Sequence, residues 1–243
     1  MYVNIAETYN LSELAVAQGY PNRQHVANDK TDWGFAHAGY NPENYTSAVV
    51  LGAEWADGPM PSRSKITSRL VEDDKVEFDA NGVPLNPNGR SGIRGRGLLG
   101  AWGPNYLGIC VVMTPQDEVL TLHHNEANFT ALPGGYRSGN ESIVEAATRE
   151  LREEIAPAFT PRTIERVGKL FFVPDPKTTD NAWIMAGIAA IRVDAKEEVT
   201  IENDGDETRD GAWLPASEAV KVLFPAHAHA VEFVLRHFHE SKE

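Results

Sequence analysis

The chain is short of cysteine, of basic residues relative to acidic ones, and of long apolar runs, and each shortage excludes something. Its single cysteine, Cys110, sits inside the apolar run LGICVVM. No disulfide can therefore form within the chain, and the expected role is a buried small hydrophobe, which fits a reducing cytoplasm. Lysine and arginine number 22 against 35 aspartates and glutamates, a formal net charge of −13. That balance argues against nucleic acid or an anionic membrane surface as the main partner, because both attract basic patches. No stretch reaches the roughly 18 uninterrupted apolar residues that a membrane span requires. The opening MYVNIAETYNLSELAVAQGY has neither a basic segment followed by an apolar core nor an Arg-rich amphipathic pattern, so no signal or transit peptide is expected. Internal repeats and low-complexity tracts are also missing.

What is present is a chain of 243 residues, 42% hydrophobic and 23% charged, enough for one large core or two smaller ones. Residues 1–105 have turn formers scattered throughout and only short periodic segments. Tyr45 to Leu51, YTSAVVL, reads as a strand, and KVEFDANGVPLNP reads as a hairpin around Asn81-Gly82. Between Asn86 and Asn105, six glycines alternate with Arg90, Arg94 and Arg96. Gly95-x-Gly97-x-x-Gly100 formally matches a dinucleotide-binding fingerprint, but Gly103 and Pro104 interrupt the helix that fingerprint needs. Two readings stay open: a connector whose glycines allow close backbone packing, or a basic loop contributing to an anion site.

From Tyr106 the pattern changes to clean strands, YLGICVVM, VLTLHH and FTALPGG, then a helix, then ERVGKLFFV and NAWIMAGIAAIRV. The last is apolar almost throughout, which predicts burial on both faces. AWLP reads as a short strand, and ASEAVKVL and HAVEFVLRHF as helices, the second with Val231, Val234, Leu235 and Phe238 on one face. The expected architecture is a mixed α/β sandwich, with a small strand-and-loop domain at 1–105 contributing to the substrate site and a catalytic domain at 106–243.

The helix between Gly139 and Pro157 repeats Ile143, Ala147, Leu151 and Ile155 every four positions, while Glu150, Glu153 and Glu154 cluster on another face. Glu150 repels the other two at i+3 and i+4, at about 0.2 to 0.5 kcal/mol per pair, and all three lie toward the negative end of the helix dipole. A solvated acidic face is one explanation. The other comes from spacing: Gly135, five residues, Glu141, seven residues, then Arg149-Glu150-Leu151-x-Glu153-Glu154 resembles the Nudix box, a signature of pyrophosphate hydrolases. Ala156 and Pro157 stand where that box ends in a glycine and an aliphatic residue.

Two more stretches, RGRGLLGAWGPN and DPKTTDNAW (Asp175 to Trp183), together with NPENYTSAVVLGAEWADG and ENDGDET, are similar to the ADP-ribose pyrophosphatase group of the family. That group includes an animal mitochondrial enzyme and the ADP-ribose-binding domain of a cation channel. The resemblance implies a Nudix-type α/β/α sandwich, a monomer, and hydrolysis of ADP-ribose to AMP and ribose 5-phosphate. A non-catalytic ADP-ribose sensor and a broader nucleoside diphosphate sugar hydrolase are the competing readings.

Splitting a pyrophosphate brings water to a phosphorus already surrounded by negative oxygens, which a divalent metal eases by neutralising charge and lowering the pKa of a bound water. Mg²⁺, or Mn²⁺ in its place, takes hard oxygen ligands, so carboxylates suit it. Glu150 and Glu154, one turn apart, are positioned for one ion, with Glu153 beside them for a second ion or an outer role. Gly134 and Gly135 permit the tight entry turn, where the Gly134 backbone carbonyl can reach the metal. The general base is sought on the helix or at Asp206 and Glu207 in the loop before AWLP, residues that otherwise read as solvated turn positions.

By resemblance, Arg149 and Glu141 pair to orient loop and helix. Asp175, Lys177 and Asn181 contact the nucleotide, and His227 lies near it. Apart from the resemblance, the Asp-Pro and Asp-Asn pairs are ordinary turn formers, and an isolated histidine at a helix start is commonly structural. Trp102 is a candidate for stacking on adenine, although core packing is the default for a tryptophan.

Overall fold

A computed structural model of the chain describes residues 19–124, 129–155, 163–196 and 209–240. It divides into two compact units, Met1–Asn105 with Phe172–Met185, and Tyr106–Phe171 with Ala186–Glu243.

The first unit has little regular structure among its described residues. It contains β1 (Asn44–Thr46), α1 (Ala48–Gly52), α2 (Arg63–Ser68), β2 (Glu77–Phe78), β3 (Pro84–Leu85) and β4 (Arg94–Gly97). β2 and β3 form the antiparallel hairpin expected at Asn81-Gly82. Asp79 fixes its loop by accepting from the amides of Asn81 and Val83. The strand expected at Tyr45–Leu51 is corrected: only Asn44–Thr46 is extended, pairing in parallel with β4. Ser47 then caps α1 by accepting from the Val49 amide. A serine cap supplies an acceptor that a helix start needs, and it overrides the β preference of Val49 and Val50. Within α1 only Val50 is buried, while Val49 and Leu51 face solvent.

With few ladders, the backbone carbonyls of this unit need other donors, and arginines supply them. Arg90 donates to the carbonyls of Lys30, Asp32 and Phe35. Arg94 donates to Pro42, and Arg96 to Gly100. Glycines bring the chain close enough: a Cβ at Gly92 or Gly95, both with positive φ, would lie 2.2 Å from the carbonyl oxygens of Gln24 or Tyr45. These observations favour the connector reading of the Gly-Arg stretch. Residues 172–185 belong with this unit because their bonds run to it: Asn86 N donates to Asp180 O, and Asp180 N to Ile93 O.

The second unit is built on a sheet of order β11-β6-β5-β10-β9, with β7 on β6 and β8 on β5. Its strands are β5 (Gly103–Met113, in this unit from Tyr106), β6 (Glu118–His124), β7 (Phe129–Ala131), β8 (Gly134–Tyr136), β9 (Thr163–Val173, in this unit to Phe171), β10 (Ala182–Arg192, in this unit from Ala186) and β11 (Arg209–Pro215). Its helices are α3 (Ile143–Glu154), α4 (Ala216–Val222) and α5 (Pro225–Glu240). Every residue of β10 except Arg192 is buried, as its unbroken apolar sequence predicts.

Alternation along β10 separates two layers. Ala189 and Ile191 pack with Ala147 and Leu151 of α3, whereas the Arg192 guanidinium lies 3.6 Å from the ring centroid of Phe238 on α5. The result is an α/β/α sandwich. Burying Ile143, Leu151 and Ile155 contributes about 1.5 to 3 kcal/mol each. Among the described residues, no helix is long and apolar enough to cross a membrane.

Candidate active site

The start of α3 is set by a capping box. Ser142 accepts from the Glu145 amide while the Glu145 carboxylate accepts from the Ser142 amide, so both ends of the S-x-x-E spacing are satisfied. The helix then lies directly on the sheet. At Gly108 of β5 an added Cβ would come within 2.7 Å of the Ala147 nitrogen, so glycine is what permits this close approach.

That placement carries Glu150 and Glu154 to the backbone of β8. Glu154 Oε2 accepts from the Gly134 amide at 3.1 Å. The Glu150 carboxylate occupies the space above Gly135, where an added Cβ would lie 2.1 Å from Glu150 Cδ. Gly135, which opens the box, and Gly134 before it therefore form a seat for two carboxylates from the end of the same box.

Arg149 ties the acidic face together. Its Nε donates to Glu141 Oε1 at 2.8 Å and its Nη2 to the Tyr136 carbonyl at 3.0 Å. Its Nη1 reaches Glu150 Oε1 at 2.8 Å and Glu153 Oε2 at 2.9 Å. One guanidinium thus bridges three carboxylates and one carbonyl, using the forked geometry that a lysine lacks. The hydrogen bond from Arg149, aided by the Ser138 amide, holds Glu141 below the usual carboxylate range, against the opposing effect of desolvation. The same bond to Glu141 pushes the Arg149 guanidinium further up. Mutual repulsion on the helix is relieved for Glu150 and Glu153 by this cation. Glu153 is the most open of the four, its side chain 57% exposed against 21% for Glu150.

Among the described residues, no three Asp, Glu, His or Cys side chains converge into a ready-made metal cage. The chemistry of the donors nevertheless fits a hard divalent cation. Mg²⁺ is commonly held by one or two carboxylates together with substrate phosphates, and Glu150 with Glu154 at the glycine seat is a set of that kind.

The remaining expected residues fall in different settings. In the first unit, Asp175 and Lys177 are half-buried on a turn in which Asp175 Oδ1 accepts from the Lys177 amide at 2.7 Å. Asn181 is corrected. It is 6% exposed, its Oδ1 accepts from the Gly95 amide, and its Nδ2 donates to the Pro84 carbonyl, so its amide holds the fold rather than a nucleotide. Trp102 is corrected in the same way. It is 6% exposed, its indole N–H donates to the Gly58 carbonyl, and its backbone is held by Asp57 and Arg69, which is core packing and leaves no face for a base. Asp206 and Glu207 lie outside the described residues. The Ser142-x-x-Glu145 spacing is itself a helix-start signature in the sequence.

His227, in the second unit, sits in the first turn of α5 with Nδ1 accepting from the Leu132 amide at 2.7 Å. The neutral ring therefore carries its proton on Nε2. Desolvation, with a contribution from the nearby His124, pushes its pKa down to about 4. A histidine kept neutral by the fold contributes stability that is present above its unfolded pKa and is lost as pH falls from about 6.5 toward 4. The partly accessible ring makes the expected loss about 1 to 3 kcal/mol. Thermal unfolding followed from pH 7 to 4.5 should show this part of the pH dependence disappear in His227→Gln, which keeps an acceptor for Leu132. Parallel curves for the two proteins would refute it.

Comparison with known proteins places these elements. Residues 26–103 match the NUDT9-like N-terminal domain family and residues 105–236 match the NUDIX domain. The mitochondrial ADP-ribose pyrophosphatase of Rattus norvegicus is 29% identical, over 87% of this chain and 73% of the rat protein. The transient receptor potential cation channel subfamily M member 2 of Mus musculus is 32% identical, over 75% of this chain and 14% of the channel. Among solved structures, the NUDIX domain of Shewanella oneidensis NrtR complexed with ADP ribose superposes with a TM-score of 0.45 at 19% identity, covering 55% of this chain and 87% of that one. With more than half its length matched, and with the box carboxylates seated on the box glycines, the chain belongs to the NUDIX domain family.

Proposed function

We propose that the chain is a metal-dependent hydrolase that splits the pyrophosphate of ADP-ribose into AMP and ribose 5-phosphate. The observation that carries it is the seating of the Glu150 and Glu154 carboxylates on the Gly134–Gly135 backbone. The similarity to the rat ADP-ribose pyrophosphatase, which extends over both matched regions, supports the substrate.

Glu150 and Glu154 hold the cation, Mg²⁺ or Mn²⁺, which supplies charge neutralisation and a more acidic water when bound. Arg149 keeps Glu150 in place and is itself fixed by Glu141. Glu153, the more open carboxylate, serves a second ion or the outer shell. Asp206 and Glu207 are the candidate general bases outside the helix. Asp175 and Lys177 contact the nucleotide or its ribose, and His227 lies near it. Residues 1–105 form the smaller domain and 106–243 the catalytic one. The protein works as a cytoplasmic monomer on a small molecule.

Purified protein with ADP-ribose and Mg²⁺ should release phosphatase-sensitive phosphate, because AMP and ribose 5-phosphate are monoesters and ADP-ribose is not. EDTA should stop turnover and excess Mg²⁺ or Mn²⁺ restore it. Absence of turnover with either ion would refute the proposal, and tight calorimetric binding of intact ADP-ribose without product would point to a sensor instead. Comparing kcat/KM for ADP-ribose, NADH and ADP-glucose separates a dedicated enzyme from a general nucleoside diphosphate sugar hydrolase.

A further inference from the structure

We propose that Tyr20 and Arg23 are positioning residues that clamp the backbone of the Asp175–Thr178 turn and so present the Asp175 and Lys177 side chains in one arrangement. The proposal rests on the reading of Asp175 and Lys177 as nucleotide contacts. Both clamp residues precede the region matched by the N-terminal family.

Three consecutive carbonyls of the turn are each taken by one of these two side chains. Arg23 Nη2 donates to Pro176 O at 2.6 Å and to Thr178 O at 2.8 Å. Between them, Tyr20 Oη donates to Lys177 O at 2.9 Å. The clamp is anchored at its other end, where Arg23 Nη1 donates to Ser91 O at 3.1 Å and Tyr20 Oη accepts from the Leu98 amide at 2.7 Å. The two residues brace each other, the guanidinium lying 5.6 Å from the Tyr20 ring centroid. Gly97 makes room for the hydroxyl: a Cβ there would lie 2.1 Å from it.

The turn's remaining bonds are internal. Asp175 Oδ1 accepts from Lys177 N, and Asp175 O accepts from Thr178 N at 2.9 Å. Carbonyls held by the clamp and amides held by Asp175 leave the backbone of the turn with little freedom.

The clamp is costly for a residue serving stability alone. Arg23 is largely withdrawn from water, and its Nε has no hydrogen-bond partner among the described residues. Desolvation lowers its pKa, against the opposing effect of Tyr20 and of the Asp180 carboxylate. Withdrawing a guanidinium from water is costly, and every hydrogen bond described for this one goes to a backbone carbonyl of the turn or of Ser91, so what it contributes is the geometry of that backbone. Loss of the clamp should weaken ground-state and transition-state binding together, which raises KM and leaves kcat in place.

The experiment compares wild type with Arg23→Met, Arg23→Lys and Tyr20→Phe, measuring ADP-ribose kinetics and amide hydrogen exchange. Arg23→Met should raise KM about tenfold, Tyr20→Phe about threefold, and kcat should stay within about twofold in each. Arg23→Lys, which keeps the charge and can serve fewer carbonyls, should recover part of the loss. Exchange at Lys177 and Thr178 should quicken in Arg23→Met while the amides of α3 keep their protection. An unchanged KM, or a fall in kcat with KM unchanged, overturns the clamp. If Arg23→Met does not fold, Arg23→Lys and Tyr20→Phe decide by the same criteria. A wild-type protein without turnover refutes the hydrolase reading separately; the exchange data then decide, and unchanged protection of the turn overturns the clamp.

Discussion

Glu150→Gln and Glu154→Gln should each lower kcat for ADP-ribose by roughly a hundred- to ten-thousand-fold, with the folded protein intact. A bound cation supplies several kcal/mol of charge stabilisation to a phosphoryl transition state, and each 1.36 kcal/mol is tenfold in rate. Glutamine keeps the size and one acceptor, so the bond from Arg149 Nη1 to position 150 and the bond from the Gly134 amide to position 154 both survive. What is lost is the negative charge. The melting temperature should move by only a few degrees: removing either charge relieves repulsion on the helix, and at position 150 this is offset by the weakened pair with Arg149. Glu153→Gln should cost less, about tenfold, since its carboxylate is open to solvent and its bond to Arg149 lies on the exposed side. Steady-state kinetics with Mg²⁺ titration would measure all three. Equal losses at 150 and 153 would overturn the ranking of ligands, and full activity of Glu150→Gln would remove it from the site.

Gly135→Ala should cost about a hundredfold in kcat/KM without a change of charge anywhere. Its backbone is extended within β8, a conformation that alanine adopts freely, so the residue itself imposes no strain. The new methyl would instead occupy the seat of the Glu150 carboxylate, 2.1 Å from Cδ and 2.2 Å from Oε1. A carboxylate on a flexible side chain can move aside, and the fold tolerates the change. The displacement is of the order of 1 Å, which is enough to cost about a hundredfold in a positioned site. Metal affinity, read by the Mg²⁺ concentration for half-maximal rate, should fall in parallel. Wild-type kinetics in a well-folded Gly135→Ala protein would show that Glu150 works from another place.

These two substitutions test charge and placement separately, and the distinction mirrors what could be read from the linear chain. The charges of Glu150, Glu153 and Glu154 were visible as an anomaly of helix physics, and the period of Ile143, Ala147, Leu151 and Ile155 stated which face would be buried. Of the three carboxylates that Arg149 spans, the partner eight residues back on a loop, Glu141, is implied only by the family resemblance, because helix spacing predicts neighbours at i+4; that the same guanidinium also holds Glu150 and Glu153 appears only in the folded chain. Asn181 and Trp102 misled because polar and aromatic residues look alike on paper whether their polar atoms meet a ligand or the backbone. The hydrogen bonds that commit them, to Gly95, Pro84 and Gly58, come from residues 44 to 97 positions away.

The run at Ser47–Leu51 shows the same limit at short range. Its two valines carry a strand preference of a few tenths of a kcal/mol each, less than the roughly 1 kcal/mol a serine cap contributes.

By itself, the sequence determined the β-rich catalytic half, the amphipathic helix with its metal-suited carboxylates, and the family they indicate. Those properties follow from local periodicity and fixed spacing. Tertiary structure alone decided where the carboxylates rest, which arginines hold the chain rather than a ligand, and what fixes the Asp175–Thr178 turn. Each of these depends on a carbonyl, an amide or a missing Cβ contributed by a distant segment, and backbone groups of that kind leave no mark in side-chain composition.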